Sequence, residues 1–329
     1  MLETMQALVF RDYGGPEKLR FEVIACPVPK DDEVLVRVEA SALNNWDWDM
    51  LRGKPAIVRM MAGGLRRPKL NVLGADIAGT VEAVGAKVAR FQPGDAVFGD
   101  NSEGHWGGLG EYTCAPERLL AVKPEGLSWQ DAAALPQAGL LAMQGLRGMR
   151  PVRPGDRVLI TGGGGGVGTF AIQLAKLAGA HVTAVDHASK ASLMTSLGAD
   201  RTLDYTRCDY TKLPEKYDLI VDVVAHHGAG AYARVLNRGG AFGMIGGRFR
   251  MMPQIVILGA MYRLFAGKHI GIVALKPEIS QLDELATLSL AGDLRPVIDQ
   301  VYPLAGAADG FVRIRDGLVQ GKLIVRHGL

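Results

Sequence analysis

The chain has 329 residues, of which 48% are apolar and 22% are charged, and its net charge is +3 when the histidines are neutral. This length predicts two domains of ordinary size, and the composition excludes a disordered protein. The small net charge, without any run of like charges, predicts no nucleic-acid partner.

Three cysteines, Cys26, Cys114 and Cys208, stand far apart in the chain and form no CxxC pair. An odd number of cysteines cannot all pair within one chain, which is typical of a protein from a reducing compartment. The first ten residues lack the basic start and apolar core of a secretory signal. We therefore predict a cytoplasmic protein.

Short apolar or alternating runs, separated by turns, fill the first part of the chain. They predict strands at residues 5–10, 33–40 and 74–85, and a Pro-Gly-Asp turn that leads into a strand at residues 91–99. Several short strands of this kind suggest a small barrel-like domain.

From residue 127 the pattern changes to alternating helices and strands. Residues 127–147 predict a helix with Ser128 as its N-cap. Further strands are predicted at residues 157–161, 181–185, 218–224, 240–246 and 269–275, and helices at 169–177, 190–197 and 230–236. This alternation implies a parallel, doubly wound sheet.

The apolar stretch at residues 251–265 is interrupted by Pro253 and Arg263 and is too short to span a bilayer, so we predict no membrane span. A buried helix or an oligomer contact is favoured, with contact of this segment with a membrane surface as the alternative. A helix at residues 278–290 and strand-like segments at 295–304 and 322–326 follow. The predicted domains are 1–126, 127–276 and a C-terminal return to the first domain at 277–329.

A glycine-rich segment after the strand at 157–161 gives the most specific signal. Gly163, Gly165 and Gly168 satisfy the spacing GxGxxG, with Gly166 and Val167 between the last two. A helix, a second strand and the acidic Asp186 follow in the order that a dinucleotide site requires. The first glycine allows a tight turn, the second lets backbone approach the pyrophosphate, and the third lets helix and strand pack closely.

Asp186 and Lys190 favour different coenzymes. The Asp186 carboxylate could accept hydrogen bonds from both ribose hydroxyls, which favours NAD, and it would repel a 2′-phosphate. Lys190 could neutralise that phosphate, or it could simply lie on a solvated helix face. The residues therefore leave the coenzyme open between NAD(H) and NADP(H).

Taken together, the motifs resemble the medium-chain dehydrogenase/reductase superfamily, in its quinone oxidoreductase-like branch. The likeness runs nearly end to end and rests, besides the glycine loop, on SALNNWDWDMLRG (41–53), LGADIAGTVEAVG (73–85), FQPGDAVFG (91–99), LPQAGLLAMQGL (135–146), LGADRTLDY (197–205) and GKLIV (321–325). The resemblance implies a GroES-like β-barrel catalytic domain, a Rossmann domain, a cleft between them, and homodimers or tetramers. It slightly favours NADP(H).

Zinc-containing members of that superfamily place a cysteine and a His-Glu pair where this chain has Asn44, Ala75 and Asp76. Ala75 has no donor atom, and an asparagine is a poor zinc ligand. The structural cysteine lobe of those members is also missing, because residues 101–114 supply one cysteine. We therefore predict no metal site.

The resemblance also carries expectations about individual residues. Asn44 is expected near the nicotinamide ribose and could donate to a substrate oxygen, and Asp47 could hold the loop or relay a proton; an ordinary turn cap is the alternative for both. Further coenzyme contacts are expected at Tyr205, Val224, Ala225, Ile245 and Gly246.

Without zinc to polarise a substrate oxygen, the acceptor must already be electron-poor. The predicted function is NAD(P)H-dependent hydride transfer to small quinones or α,β-unsaturated carbonyl compounds. Two alternatives stay open: a zinc-independent alcohol or carbonyl dehydrogenase, and a catalytically silent dinucleotide-binding protein with a structural or regulatory role.

Overall fold

The computed structural model describes residues 3–328, without the side chain of Phe249. The chain divides into two units. Of the described residues, 3–137, 277–292 and 298–328 form the first unit, and 138–276 and 293–297 form the second. The first part of the chain contains β1 (Thr4–Phe10), β2 (Leu19–Ala25), β3 (Glu33–Leu43), α1 (Asn45–Arg52), α2 (Ile57–Met61), β4 (Asp76–Val84), β5 (Ala96–Asp100), β6 (Tyr112–Pro116), β7 (Leu120–Val122) and α3 (Trp129–Ala134).

The second unit alternates helices and strands. Its elements are α4 (Pro136–Arg147), which begins at the boundary, β8 (Arg157–Thr161), α5 (Gly166–Leu177), β9 (His181–Asp186), α6 (Ala191–Ser196), β10 (Arg201–Asp204), β11 (Tyr217–Asp222), α7 (Ala229–Val235), β12 (Leu236–Met244), α8 (Met252–Ala266) and β13 (His269–Ile272). The chain then returns to the first unit through α9 (Ile279–Leu290), β14 (Ile298–Pro303), α10 (Ala307–Arg315) and β15 (Lys322–Arg326).

The first unit is built on a seven-stranded sheet in the order β14-β15-β3-β4-β5-β7, with β6 paired to β3. Strand β3 is buried along almost its whole length, because it pairs with β15, β4 and β6. The antiparallel pairing of β15 with β3 brings the end of the chain into the sheet of the first unit. It also brings the start of β15 beside the end of β3, since Leu323 lies opposite Leu43.

The second unit has one six-stranded parallel sheet in the order β10-β9-β8-β11-β12-β13. The predicted doubly wound parallel sheet is therefore confirmed. The direction of winding reverses between β8 and β11, and in such sheets ligands bind outside the carboxyl ends of the strands at this point. Strand β10 was not predicted, because it is a short, half-buried edge strand of mixed character.

The helix predicted over residues 127–147 is two helices, α3 and α4. Pro136 separates them, because a proline lacks the N–H that a continuous helix needs and is instead favoured at a helix start. Ser128 is the N-cap of α3, as predicted, and its hydroxyl accepts from the Asp131 N–H at 3.0 Å. Helix α3 packs on β3, β4 and β15, so the first unit extends to residue 137 rather than to the predicted 126.

The apolar stretch at 251–265 forms α8, but only one side of this helix is buried. Ile255 and Gly259 are enclosed, whereas Leu264 and Phe265 are 77% and 79% exposed. The buried-helix interpretation therefore holds for one face only. Within residues 3–328, no helix has the length and apolar character needed to cross a bilayer.

Candidate functional site

The glycine loop between β8 and α5 shows which of its glycines the protein itself requires. A Cβ atom on Gly168 would lie 2.1 Å from the carbonyl oxygen of Gly162, and one on Gly163 would lie 2.8 Å from the Met194 sulfur. A Cβ on Gly165 would meet nothing closer than 3.4 Å. Packing therefore demands glycine at residue 168, where an added Cβ would meet backbone, whereas the space beside Gly165 is left free by the chain.

The same loop presents unpaired donors. Gly165 is the N-cap of α5, so the N–H groups of Gly166, Val167 and Gly168 have no acceptor within the helix. Such N–H groups, together with the positive end of the helix dipole, favour a bound phosphate. The free space at Gly165 lies at the same point, which is the arrangement expected for a pyrophosphate.

The Asp186 carboxylate, at the end of β9, is already engaged within the protein. One of its oxygens accepts from the Gly164 N–H at 3.0 Å and the other from the His187 N–H at 2.7 Å. The Lys190 ammonium lies 3.4 Å from it, with 12% of that side chain exposed. Lys190 therefore neutralises Asp186, and this side of the site does not present an unbalanced negative charge.

The other predicted coenzyme residues of the second unit lie around the same strand ends. The Tyr205 N–H points to the Asp186 carbonyl at 3.4 Å, and the Tyr205 side chain is exposed. The Ala225 N–H donates to the Gly246 carbonyl at 3.0 Å, and the Ile245 N–H donates to the Asp222 carbonyl at 2.9 Å. The exposed Val224 lies beside them. These predicted coenzyme residues therefore lie together at the carboxyl ends of the parallel strands.

Asp222, which was not predicted, joins these strand ends. It is fully buried at the end of β11, and its carboxylate accepts from the Thr161 hydroxyl at the end of β8 and from the Val224 N–H at 3.1 Å. Burial raises the pKa of this carboxyl above its ordinary value. Asp222 could have been found from the sequence, because it is an acidic residue at the end of a mainly apolar strand.

Asn44 and Asp47 form the turn that begins α1 in the first unit. Asn44 is the N-cap, and the Asp47 carboxylate accepts from the Asn44 N–H and from the Gly74 N–H, each at 2.8 Å. Asp47 is fully buried, and this desolvation raises its pKa to about 7. Asn44 and Asp47 therefore form the helix cap that was the structural alternative for both residues. The cap holds Asn44 at the edge of the first unit's core.

Behind Asn44 lies a buried charge pair. The Lys322 ammonium donates to the Asn44 side-chain oxygen and, at 3.1 Å, to the Asp76 carboxylate. The Asn44 side-chain N–H donates to the same Asp76 oxygen at 3.0 Å, and the Gln137 N–H donates to the other at 2.9 Å. Lys322 was not among the predicted site residues.

Asp100 adds a third buried carboxyl to this group. It lies opposite Asp76 where β4 pairs with β5, and it accepts from the Ser102 N–H at 2.8 Å. Burial, and secondly the negative charge of Asp76, raise its pKa to about 6. The first unit thus buries three carboxyls around one ammonium, and of this group Asn44 is the member that is partly exposed.

The positions that hold zinc in related enzymes do not fit a zinc ion here. Ala75 is buried and has no donor atom, and the Asn44 oxygen and one Asp76 oxygen already accept from the Lys322 ammonium. Across residues 3–328, no group of three or more His, Cys, Asp or Glu side chains is arranged to hold a metal ion.

Neighbouring aromatic and histidine residues have structural partners. Trp46 lies with its ring centroid 6.4 Å from that of Trp106, and Trp46 and Trp48 both pack against the core of the first unit. The His105 ring nitrogen lies 2.7 Å from the buried Glu33 carboxylate. Packing explains the two tryptophans, and a hydrogen-bonding contact with Glu33 explains His105.

Comparison with known proteins agrees with this architecture. Residues 30–125 match the family described as alcohol dehydrogenase GroES-like domain, and residues 197–325 match the family described as zinc-binding dehydrogenase. A chloroplastic quinone-oxidoreductase homolog from Spinacia oleracea is 33% identical, with 98% of both chains covered. An NADPH-dependent alkenal/one oxidoreductase from Arabidopsis thaliana is 32% identical, covering 98% of this chain and 80% of that one.

Among solved structures, the quinone oxidoreductase from Coxiella burnetii superimposes with a TM-score of 0.88 at 27% identity, over 98% of this chain and 99% of that one. The chain therefore belongs to the medium-chain dehydrogenase/reductase superfamily. Its place is in the quinone oxidoreductase-like branch, so it is an oxidoreductase that uses a nicotinamide coenzyme. The predicted family, fold class and enzyme class are confirmed.

Proposed function

We propose that this enzyme reduces small quinones or α,β-unsaturated carbonyl compounds with NAD(P)H and without zinc. The observation that carries the proposal is the combination of a complete dinucleotide loop with a first-unit site whose zinc positions hold Asn44, Ala75 and Asp76. The names of the relatives, a quinone oxidoreductase homolog and an alkenal/one oxidoreductase, support the same substrate class.

A bound reduced nicotinamide supplies a hydride. In the acceptor, conjugation spreads the negative charge that hydride addition creates, so a hydrogen-bond donor can replace a metal at the oxygen. We propose Asn44 as that donor, through the side-chain N–H that does not bind Asp76 and whose other neighbour, the Ala42 carbonyl, lies 3.5 Å from the nitrogen. We also propose Asn44 as a contact of the nicotinamide ribose. Asp47 holds the turn that presents Asn44, because both of its carboxylate oxygens accept backbone N–H groups. One proton completes the reduction.

For the coenzyme we propose contacts at the loop and at the surrounding strand ends. The residues are Gly163, Gly165, Gly166, Val167, Gly168, Asp186, Lys190, Tyr205, Val224, Ala225, Ile245 and Gly246. The Asp186–Lys190 pair supports NADP(H), because the lysine offsets the charge that would repel a 2′-phosphate.

The test is a titration of nicotinamide fluorescence with NADH and NADPH, followed by assays of coenzyme oxidation with quinones, enones and simple carbonyl compounds. We expect tighter binding of NADPH, turnover with the electron-poor acceptors, and equal rates with and without a zinc chelator. Reversible oxidation of simple alcohols would instead identify an alcohol dehydrogenase. Coenzyme binding without any turnover would identify the catalytically silent alternative.

We also propose a cytoplasmic homodimer or homotetramer. The three cysteines are free thiols, as expected in a reducing compartment. Large apolar side chains lie exposed along α8, at Val256, Ile257, Met261, Leu264 and Phe265. Contiguous exposed apolar surface is typical of contacts between chains.

A further inference from the structure

Lys322 is the most enclosed cation of the first unit's site, with 2% of its side chain exposed. A lysine is seldom buried without a partner, because removing an ammonium from water is costly unless opposite charge and hydrogen bonds replace the solvent. Both are present here: Asp76 supplies the charge at 3.1 Å, and the Asn44 oxygen supplies a second acceptor.

The register of the sheet explains how these three residues meet. Leu323 lies opposite Leu43, so Lys322 stands beside Asn44 where β15 and β3 pair. On the other side of β3, Ala42 lies opposite Asp76. Three neighbouring strands therefore deliver an ammonium, an amide and a carboxylate to one point.

The charges determine how the Asn44 amide is oriented. An ammonium can only donate and a carboxylate can only accept, so the amide oxygen must face Lys322 and the amide nitrogen must face Asp76. If the amide were rotated by half a turn, its N–H groups would face the Lys322 ammonium, which is also a donor, and its oxygen would face the Asp76 carboxylate, which is also an acceptor. Lys322 and Asp76 thus act on the amide as a pair that permits one orientation.

Asn44 is also the point at which this group reaches solvent. Asp47, Asp76, Asp100 and Lys322 are all buried, whereas Asn44 is partly exposed. Asn44 is therefore the member of this group that a bound substrate or coenzyme can contact directly.

We propose that Lys322 is a positioning residue of this reductase: its ammonium supplies the fixed positive charge of the site and holds the Asn44 amide in its donating orientation. The proposal rests on the proposed function of Asn44. Residues 197–325 match a family described as zinc-binding dehydrogenase, yet the zinc positions of this chain do not fit a zinc ion. The proposal accounts for this difference, because the Lys322 ammonium already binds the Asn44 and Asp76 oxygens that would remain available to a zinc ion.

The test compares Lys322→Met, which removes the charge and retains the length of the side chain, with the double variant Lys322→Met/Asp76→Asn. The single variant leaves the Asp76 carboxylate buried without a cation, so its midpoint of thermal unfolding should fall. The double variant removes both charges and should recover the midpoint. Its kcat should stay at least about tenfold below that of the wild type, a barrier increase of about 1.4 kcal/mol, because the amide is no longer held.

Three further readouts separate positioning from folding. In the double variant the loss should appear in kcat more than in KM. In protein labelled with ¹⁵N-asparagine, the Asn44 side-chain protons should exchange slowly with solvent in the wild type and rapidly in the double variant. The wild type should bind no added Zn²⁺ in a calorimetric titration.

Recovery of kcat together with the midpoint in the double variant would show that Lys322 only balances Asp76, and would overturn the proposal. Rapid exchange at Asn44 in the wild type, or one tightly bound zinc ion per chain, would overturn it as well. If the wild type reduces no acceptor, the proposed function fails, yet the exchange and zinc measurements still decide whether Lys322 fixes the amide.

Discussion

Asp47 combines complete burial with two backbone hydrogen bonds, and these act on its pKa in opposite directions. Desolvation disfavours the carboxylate, whereas the Gly74 and Asn44 N–H groups favour it, and burial prevails with a pKa of about 7. The unfolded chain ionises near the ordinary value of about 3.9. Between these values the folded protein holds a proton that the unfolded chain has lost.

Stability should therefore fall as the pH rises from about 4 to about 7, because unfolding releases this proton throughout that window. An asparagine at this position does not titrate. We expect the difference in unfolding free energy between the wild type and Asp47→Asn to shrink with rising pH, by up to about 4 kcal/mol. Urea unfolding at several values from pH 4 to 8 measures it.

Asp293, whose side chain is exposed, supplies the matched control. Urea unfolding of Asp293→Asn is measured over the same range, and it should not reproduce the pH-dependent difference of Asp47→Asn. Parallel pH profiles for the wild type and Asp47→Asn would show that Asp47 is ionised when folded, contrary to this account.

Single residues were only partly predictable from the sequence. Asn44 and Asp47 could be named because their residue types favour turns and because the resemblance marked them. The role of Lys322 could not, because it depends on strand register between residues 278 positions apart. The local signal was a charged residue at the start of an apolar strand, and ordinary surface placement explains such a residue equally well.

At the scale of elements, the loop between β8 and α5 allows a test that separates folding from binding. A methyl group at Gly168 would strike the Gly162 carbonyl, whereas one at Gly165 would meet only ordinary contacts. We expect Gly168→Ala to destabilise the protein by about 1–3 kcal/mol, the usual result of overpacking. Gly165→Ala should leave the thermal midpoint nearly unchanged.

In Gly165→Ala the added methyl group occupies the space proposed for the pyrophosphate. Coenzyme affinity, measured by nicotinamide fluorescence, should fall at least about tenfold, or about 1.4 kcal/mol. Gly155→Ala is the control, because that glycine lies in a turn with open space around it. Its coenzyme affinity should not change, although the positive φ of Gly155 makes some loss of stability expected. Unchanged affinity in Gly165→Ala would place the pyrophosphate elsewhere.

Elements with a strong period were predicted well, and the parallel strands β8, β9, β11, β12 and β13 are confirmed within a few residues. Helices α1, α2 and α10 were not predicted. Helix α1 follows directly from a buried strand and begins at a turn that Asn44 and Asp47 close, so its eight residues are too few to show a helical period clearly. Tertiary contacts, rather than propensity, determine such short elements.

At the scale of the whole molecule, the exposed face of α8 tests the proposed oligomer. Two lysines in Leu264→Lys/Phe265→Lys would place charges on the most exposed apolar side chains of that helix. If the face lies between chains, light scattering should give a multiple of the monomer mass for the wild type and a lower mass for the variant. Leu318→Lys, at an exposed apolar residue of the first unit, should leave the mass unchanged.

A wild type that is monomeric at every concentration would refute the oligomer, and an unaltered mass in the variant would place the contact elsewhere. The two-unit organisation itself followed from the sequence, because a change from period-two strands to alternating helices and strands is visible near residue 127. The position of the boundary did not, since α3 is helical like the second unit but packs on the strands of the first.

The pairing of β15 with β3 also has a consequence for the order in which the molecule assembles. During synthesis, Asn44, Asp47 and Asp76 emerge long before Lys322, and the complete second unit is made in the interval. Contacts so distant in sequence form late, because closing a long loop lowers the chain entropy before any contact can stabilise the closed state. The nascent first unit therefore carries its acidic residues without their cation, and its site is completed only when the last strand joins the sheet.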